Sequence, residues 1–404
     1  MKEIINKIDE CVHCGLCLSD CPTYLTTGLE SESPRGRLMI MKMMHQGIKD
    51  SPTISHLENC LDCRSCLTAC PSGVKYDKIF DETQKFFLEG FSLKNKCLQI
   101  IISLITNKLF MNIINRVFWI FQNLGLIQIL IKLPFKSFKN LEGLPKLNWN
   151  SFSKVSSKIY PAINKKKGVV AFFYGCVMSY LYPKVHLSTI QILQWNGYEV
   201  HILDKQVCCG ALDHHIGNRE KMSILRGKNQ KIFKKYDTII VNSAGCGAEL
   251  KSYNEYTLSN KVKDITEFLC DIEFRIPKIN SFKKKIYYDA PCHLIHGQQI
   301  ADQPKILLNK SGFTISDNFD ENLCCGAAGT YVLSNPNQSN EILQLKMESI
   351  LKQSDIHSVV TANPGCQLQL KKGCSENNLN VPVKHICEII HEQYMNDQEF
   401  INAF

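Results

Sequence analysis

Cysteine is the residue type with the most chemistry to offer in this sequence, and its spacing says which chemistry. Eight of the twenty cysteines lie in two runs, CVHCGLCLSDCP (11–22) and CLDCRSCLTACP (60–71), both reading C-x2-C-x2-C-x3-C-P. Three thiolates two residues apart on a curling loop reach three irons of one cube. The fourth, three residues further on, reaches a neighbouring cube. This spacing assigns Cys11, Cys14, Cys17 and Cys70 to one [4Fe–4S] cluster, and Cys60, Cys63, Cys66 and Cys21 to another. Pro22 and Pro71 then turn the chain without presenting a competing N–H. Paired zinc sites would instead show simple C-x2-C pairs.

Eight further cysteines form two sets in the second half: Cys176, Cys208, Cys209 and Cys246, then Cys292, Cys324, Cys325 and Cys366. The step from the first cysteine to the adjacent pair is 32 residues in both sets, and each pair is followed by Gly. A Gly-Cys step closes each set, at Gly245-Cys246 and Gly365-Cys366. Such recurrence marks an internal repeat. Adjacent cysteines do not readily join each other, but both can face a metal or a cluster edge, and the Gly permits positive φ and close backbone approach. Two readings stay open for these eight: ligands of a third cluster or metal, or thiols shaping an interface or redox pocket, with the second favoured. His214, His215, His293 and His296 lie near these cysteines and read as pocket-wall residues, not ligands. Cys97, Cys270, Cys374 and Cys387 read as buried apolar thiols.

The elements that must position these thiols follow from the flanks. GVVAFFYG (168–175) and KIYYDA (285–290) precede the first cysteine of each set; DTIIVNS (237–243) and IHSVVTA (356–362) precede the last. These short, uniformly apolar runs are the signature of buried parallel strands. Helical patterns separate them at 183–196, 212–235 and 337–353, which predicts α/β units with the strand ends as the site edge. The N-terminal part reads as α-helical, with a helix over RLMIMKMMHQG (37–47) between the two runs. The fold class is therefore mixed α and α/β: an α-helical two-cluster ferredoxin domain (1–92), a helical and basic linker (93–165), and two duplicated α/β cysteine-rich domains with parallel-type sheets (166–278 and 283–395).

The linker holds the greasiest stretch, 97–133. Its uncharged run VFWIFQNLGLIQILI (117–131) is shorter than the roughly twenty apolar residues a spanning helix needs. A buried helix pair is the favoured reading, ahead of an interfacial helix and a membrane span. Lys132, Lys136, Lys139, Lys146, Lys154, Lys158, Lys165, Lys166 and Lys167 follow, against Glu142 alone. This is a solvated face or a surface for an anionic membrane. The whole chain of 404 residues has a formal net charge of +9. Eight thiolates holding two doubly positive cluster cores would bring that to about +5. Such an excess does not argue for nucleic acid. The absence of an apolar leader at Met1-Lys2-Glu3-Ile4, with so many thiols, points to a reducing, cytoplasmic setting.

No P-loop and no flavin or nicotinamide fingerprint is present; Gly245-Cys246-Gly247 has Leu250 where the third glycine would stand. The motifs CVHCGLCLSDCPTY (11–24), SPRGRL (33–38), CLDCRSCLTACPSGVKYDKI (60–79), SAGCGAEL (243–250) and ANPGC (362–366) together resemble the iron–sulfur subunit of bacterial glycolate oxidase (glycolate dehydrogenase) over nearly the whole chain. The repeats resemble the cysteine-rich CCG domain of heterodisulfide reductase relatives, which ends in C-x-x-C. Here Ser243 and Asn363 replace the earlier cysteine of that pair. The resemblance implies an electron-transfer subunit, not catalytic alone. A flavin-binding partner subunit carrying FAD would oxidise glycolate to glyoxylate. Electrons would pass through this chain to a membrane quinone, with contact at the inner face of the cytoplasmic membrane. The competing implications are the iron–sulfur subunit of anaerobic glycerol-3-phosphate dehydrogenase or of a lactate utilisation complex, and a heterodisulfide-reductase-like catalytic subunit.

Overall fold

The computed structural model describes residues 2–48, 51–88, 93–132, 143–155, 158–253, 256–278, 284–317 and 323–404. Lys136, Lys139 and Glu142 of the basic stretch lie outside them.

The N-terminal part is helical, with Lys2–Ile8, Pro22–Thr27, Pro34–His45, Ser51–Glu58, Ser65–Ala69 and Tyr76–Thr83 around a core of Ile4, Met41, Leu57, Ile79 and Phe80. Both cysteine runs curl by the same backbone device. His13 and Gly15 have positive φ in the first run, and Asp62 and Arg64 in the second. These left-handed residues reverse the chain between successive thiols, so that all three point to one side. After the runs the chain differs. Pro22 opens a helix with Cys21 as its N-cap, whereas Cys70 ends the helix Ser65–Ala69 and Pro71 leads into a turn.

The second half builds two sheets. Strands β1 (Ile159–Tyr160), β2 (Gly168–Phe173), β3 (Tyr198–Ile202), β4 (Ile239–Val241) and β5 (Val262–Asp264) pair in the order β1-β3-β2-β4-β5. All but β1 are parallel. Strands β6 (Lys284–Asp289), β7 (Phe313–Ile315), β8 (Ser358–Thr361) and β9 (Val383–His385) pair in the order β7-β6-β8-β9, all parallel. The four apolar runs read from the sequence are β2, β4, β6 and β8, the central strands. Their period-free apolar character follows from burial on both faces. The helical stretch 212–235 is two helices, Ala211–His215 and Arg219–Phe233, broken at Gly217, whose φ is +73°.

The two sheets share one core. Phe172, Val200 and Ile240 of the first and Ile286, Tyr288 and Val360 of the second face a common interior, with the helices Pro183–Trp195 and Ile386–Tyr394 between them. Each sheet closes its other face with a smaller core of its own.

The linker helices Leu93–Thr106, Lys108–Asn123 and Leu126–Lys132 correct the favoured reading of a buried pair. Leu109, Ile113, Val117, Ile120 and Leu124 form an exposed stripe, with Leu109 at 77% and Leu124 at 66%. Asn115 and Gln122 turn inward instead. Asn115 Nδ2 donates to Asn148 O at 2.7 Å; Gln122 donates to Pro145 O and accepts from Leu147 N, both at 2.9 Å. The amides satisfy an irregular backbone segment that no sheet pairs, and this fixes which way the helix rolls. Among the described residues no single helix is long and apolar enough to cross a membrane; Lys96–Thr106 and Lys108–Asn123 would reach that length together but are bent by 82°. Cys97, expected buried, is exposed on this segment and Cys270 is partly exposed, whereas Cys374 and Cys387 are buried.

Candidate functional site

The eight N-terminal thiols fall around two cavities. Cys11, Cys14, Cys17 and Cys70 line one, beside Gly15 and Arg35; Cys21, Cys60, Cys63 and Cys66 line the other, beside Arg37 and Tyr76. Each cavity takes three cysteines from one run and one from the other. Four thiols gathered at each cavity suit an iron–sulfur cubane.

Two arginines of the SPRGRL motif, Arg35 and Arg37, complete these cavities. Ser33 caps the helix Pro34–His45, its Oγ accepting from Gly36 N at 3.0 Å. That cap sends Arg35 to the first cavity and Arg37 to the second. Arg35 Nη1 donates to His13 O at 3.0 Å inside the first loop, and a Cβ on Gly15 would meet the same nitrogen at 3.0 Å. Arg37 is fully buried, donating to Glu32 Oε2 at 2.6 Å, His56 O at 2.8 Å and Thr23 Oγ1 at 3.0 Å. Burial pushes the Cys60, Cys63 and Cys66 thiols up, and the Arg37 charge opposes that at Cys60. Tyr76 adds an O–H donor to Cys60 Sγ at 3.7 Å. A buried cation and a hydroxyl donor are what a set of thiolates needs in a dry site.

In each repeat the thiols sit beyond the carboxyl ends of the parallel strands, where the strand order reverses between β2 and β4 and between β6 and β8. Each quartet is a chain of touching thiols, in which the adjacent pair also contact each other. Cys176 Sγ lies 3.4 Å from Cys208 Sγ, and Cys209 Sγ 3.4 Å from Cys246 Sγ. Cys292 pairs with Cys324, and Cys325 with Cys366, in the same way. Gly210 and Gly326 have positive φ and aim their N–H groups at Cys208 and Cys324. Hydrogen bonds from the neighbouring thiols, outweighing burial, pull Cys208 and Cys324 well below the usual thiol value. One thiolate per repeat is thereby favoured.

Ser243 and Asn363, which stand where further cysteines would complete each set, meet at the contact between repeats. Ser243 Oγ donates to Asn363 Oδ1 at 3.4 Å, and Gly245 N donates to the same oxygen at 3.3 Å. Asn363 Nδ2 in turn donates to Cys366 Sγ at 3.4 Å. The helices Ala244–Lys251 and Cys292–Gln298 cross tightly here, since a Cβ on Gly297 would come within 2.9 Å of Ala248 Cβ.

The N-terminal part docks on both repeats. Leu61 and Cys63 pack against Cys292, Cys324 and Tyr331 of the second. Tyr331 donates to Asn59 O at 3.1 Å, and Thr68 pairs with His296 Nδ1 at 2.7 Å. Against the first repeat, Asp81 meets His214 Nε2 at 2.9 Å while Glu249 meets His214 Nδ1 at 2.7 Å. Burial disfavours the His214 charge, but these two carboxylates outweigh it and raise its pKa to about 9. So His214 bridges the two parts. His215 and His293 approach Asp62, with their ligand atoms all within 4.8 Å of one another. That meeting joins three segments far apart in the chain, and no local spacing signals it.

The first repeat opens differently. Cys176 and Cys208 border a cavity of about 460 Å³ between this repeat and the linker helices, also lined by Lys108, Tyr174, Tyr180 and Lys221. Lys108 Nζ lies 3.2 Å from Tyr174 Oη.

Residues 7–74 match the 4Fe–4S dicluster domain family, and residues 170–251 and 286–371 match the cysteine-rich domain family CCG. The probable glycolate oxidase iron–sulfur subunit of Bacillus subtilis is 30% identical over 97% of this chain and 97% of its own length. The glycolate oxidase iron–sulfur subunit of Escherichia coli is 29% identical over 95% of this chain and 93% of its own. Lactate utilization protein A of Oceanobacillus iheyensis is 26% identical over 55% of this chain and 96% of its own length.

Proposed function

The chain belongs to the family of glycolate oxidase iron–sulfur subunits, and from that premise we propose that it relays electrons within a glycolate-oxidising complex. In this reading a partner subunit holds FAD and oxidises glycolate to glyoxylate. Two [4Fe–4S] clusters are held by Cys11, Cys14, Cys17 and Cys70, and by Cys60, Cys63, Cys66 and Cys21. The observation that carries it is the pair of cavities at which four thiols gather, each lined by one of these two sets. When bound, such clusters supply one-electron transfer at a low reorganisation cost. This chain's own residues hold the thiols in place. The guanidinium groups of Arg35 and Arg37 offset the negative charge of the thiolates. The contact of Cys63 with Cys292 and Cys324 sets a short way out toward the second repeat. The repeat thiols serve there as a redox pocket or as a third cluster site.

The acceptor in this reading is a membrane quinone, reached from the cytoplasmic side through peripheral contact. The exposed stripe Leu109–Ile113–Val117–Ile120–Leu124 supports it, since such a surface is covered in use. The chain and the glycolate oxidase subunits match along nearly their full lengths, whereas the lactate protein matches about half of this chain. That favours glycolate. The heterodisulfide-reductase-like reading is disfavoured because Ser243 and Asn363 join the repeats where it needs thiols.

Co-purification with the partner flavoprotein tests the proposal. The complex is expected to reduce a quinone analogue with glycolate, and this chain alone is not. Cys63→Ala should lower quinone reduction by about 100-fold or more while glycolate still reduces the flavin. Glycolate turnover by this chain free of flavin would overturn the proposal.

A further inference from the structure

We infer that Asp62, His215 and His293 form a mononuclear site for a divalent transition metal of the zinc or ferrous class, at the border of the second thiol cavity, which Asp62 also lines. The three residues come from the three parts of the molecule. Asp62 lies in the loop between Cys60 and Cys63, His215 follows the Cys208-Cys209 pair, and His293 follows Cys292. One ligand atom from each falls within 4.8 Å of the others. Asp62 and His215 are each about 15% exposed, so the site is sheltered yet reachable.

The distances favour an ion over a direct hydrogen bond. Asp62 Oδ2 stands 3.8 Å from His215 Nδ1, beyond the ~2.7–3.2 Å of a hydrogen bond. Two atoms that each sit ~2.0–2.2 Å from one ion are roughly 3.4 Å apart at a tetrahedral angle and wider at larger angles. The surroundings orient each ligand. Arg64 Nε lies 3.5 Å from Asp62 Oδ1, which leaves Oδ2 to face the histidines. Cys292 Sγ contacts His293 Nδ1 at 3.4 Å, which leaves Nε2 as that ring's ligand atom. A partner on the far ring nitrogen is the usual support of a ligating histidine. The two rings stand edge to face, with centroids 5.6 Å apart. Two imidazoles and one carboxylate suit zinc or ferrous ion and leave positions open for water or a small ligand. An ion there would pin the loop carrying Cys60 and Cys63 to both repeats at once.

The test uses zinc on the full chain, isolated anaerobically with its clusters and treated briefly with a mild chelator. One equivalent of Zn2+ is added, the chain is desalted, and retained zinc is measured with its X-ray absorption. About one zinc per chain, bound by nitrogen and oxygen without sulfur, is expected. Asp62→Asn, His215→Ala and His293→Ala should each cut retained zinc by about tenfold or more, with the electron paramagnetic resonance of the reduced clusters unchanged in the two histidine variants. Should an alanine variant lose its clusters, His293→Gln, which keeps more of the side-chain volume, gives the comparison. Zinc bound through sulfur, zinc retained equally by the variants, or no zinc retained by the parent chain would each overturn the site. None of these results bears on the electron-relay reading, which rests on the cysteines.

Discussion

The first and second repeats present the same thiol corner to different surroundings. In both, a parallel sheet delivers one cysteine after its central strand, an adjacent pair with a left-handed glycine, and a last cysteine at a helix start. In the second repeat, Leu61 and Cys63 of the N-terminal part cover the corner. In the first, it opens into the cavity beneath the linker helices. The interiors diverge as well. Asp289, at the end of β6, pairs with Lys346 at 3.0 Å, with both side chains almost wholly buried. Phe173, at the end of β2, instead packs on Phe233, with ring centroids 5.9 Å apart. Duplication thus supplies the thiol geometry, and what docks on each copy decides whether the corner is covered by the N-terminal part or faces an open pocket.

The largest effect expected from this contrast is at the buried ion pair. Lys346→Met should cost about 3–5 kcal/mol, because it strands the Asp289 carboxylate in the core. Asp289→Asn with Lys346→Met should recover much of that loss. Denaturant unfolding of the three chains measures both, and a single variant of near parental stability would mean that the repeats do not differ as described. Thiol reactivity comes next. Cys176, which is partly exposed, should alkylate about tenfold faster than its buried counterpart Cys292 in the native chain. Peptide mapping after brief iodoacetamide treatment reads the ratio, and equal labelling would erase the distinction.

The shared core limits how far the repeats act independently. His186 is held down to about 3 and His385 to about 4, both by burial. A histidine whose folded value lies below its unfolded value of ~6.5 binds fewer protons when folded. Its contribution is therefore intact above about pH 6.5 and is lost as the pH falls toward 4, at about 1.4 kcal/mol per pH unit for each group. Both repeats should lose stability together over that window, in one transition. Two separated transitions would show that the core does not join them. The smallest effect belongs to Tyr331→Phe, which removes a hydroxyl shared between Asn59 O of the N-terminal part and Gln338 Oε1 of the second repeat. It should cost about 1 kcal/mol, with no matching loss at the first repeat.

Much of this was legible in the sequence because it is local. The C-x2-C-x2-C-x3-C-P runs carry their own curl, and the apolar strands beside each cysteine set carry their own burial. The linker helices are the exception, for a reason that spacing does not reveal. Its apolar composition suggested burial, but Asn115 and Gln122 are spent on the backbone at 145–148, and the stripe from Leu109 to Leu124 faces outward. Ser243 and Asn363 were visible as missing cysteines, yet their meeting across the repeat contact needs both repeats folded. Arg37 lay in the quoted SPRGRL motif, but its burial beside the second thiol cavity depends on Glu32, Thr23 and His56 together.

Iron and acid-labile sulfide, counted on the chain isolated without oxygen and paired with the spectrum of Cys21→Ser, test the two-cluster relay most directly. About eight irons and eight sulfides per chain are predicted, with Cys21→Ser disturbing the cluster assigned to Cys60, Cys63 and Cys66. A count near four, zinc in place of iron, or damage confined to the cluster assigned to Cys11, Cys14 and Cys17 would contradict it.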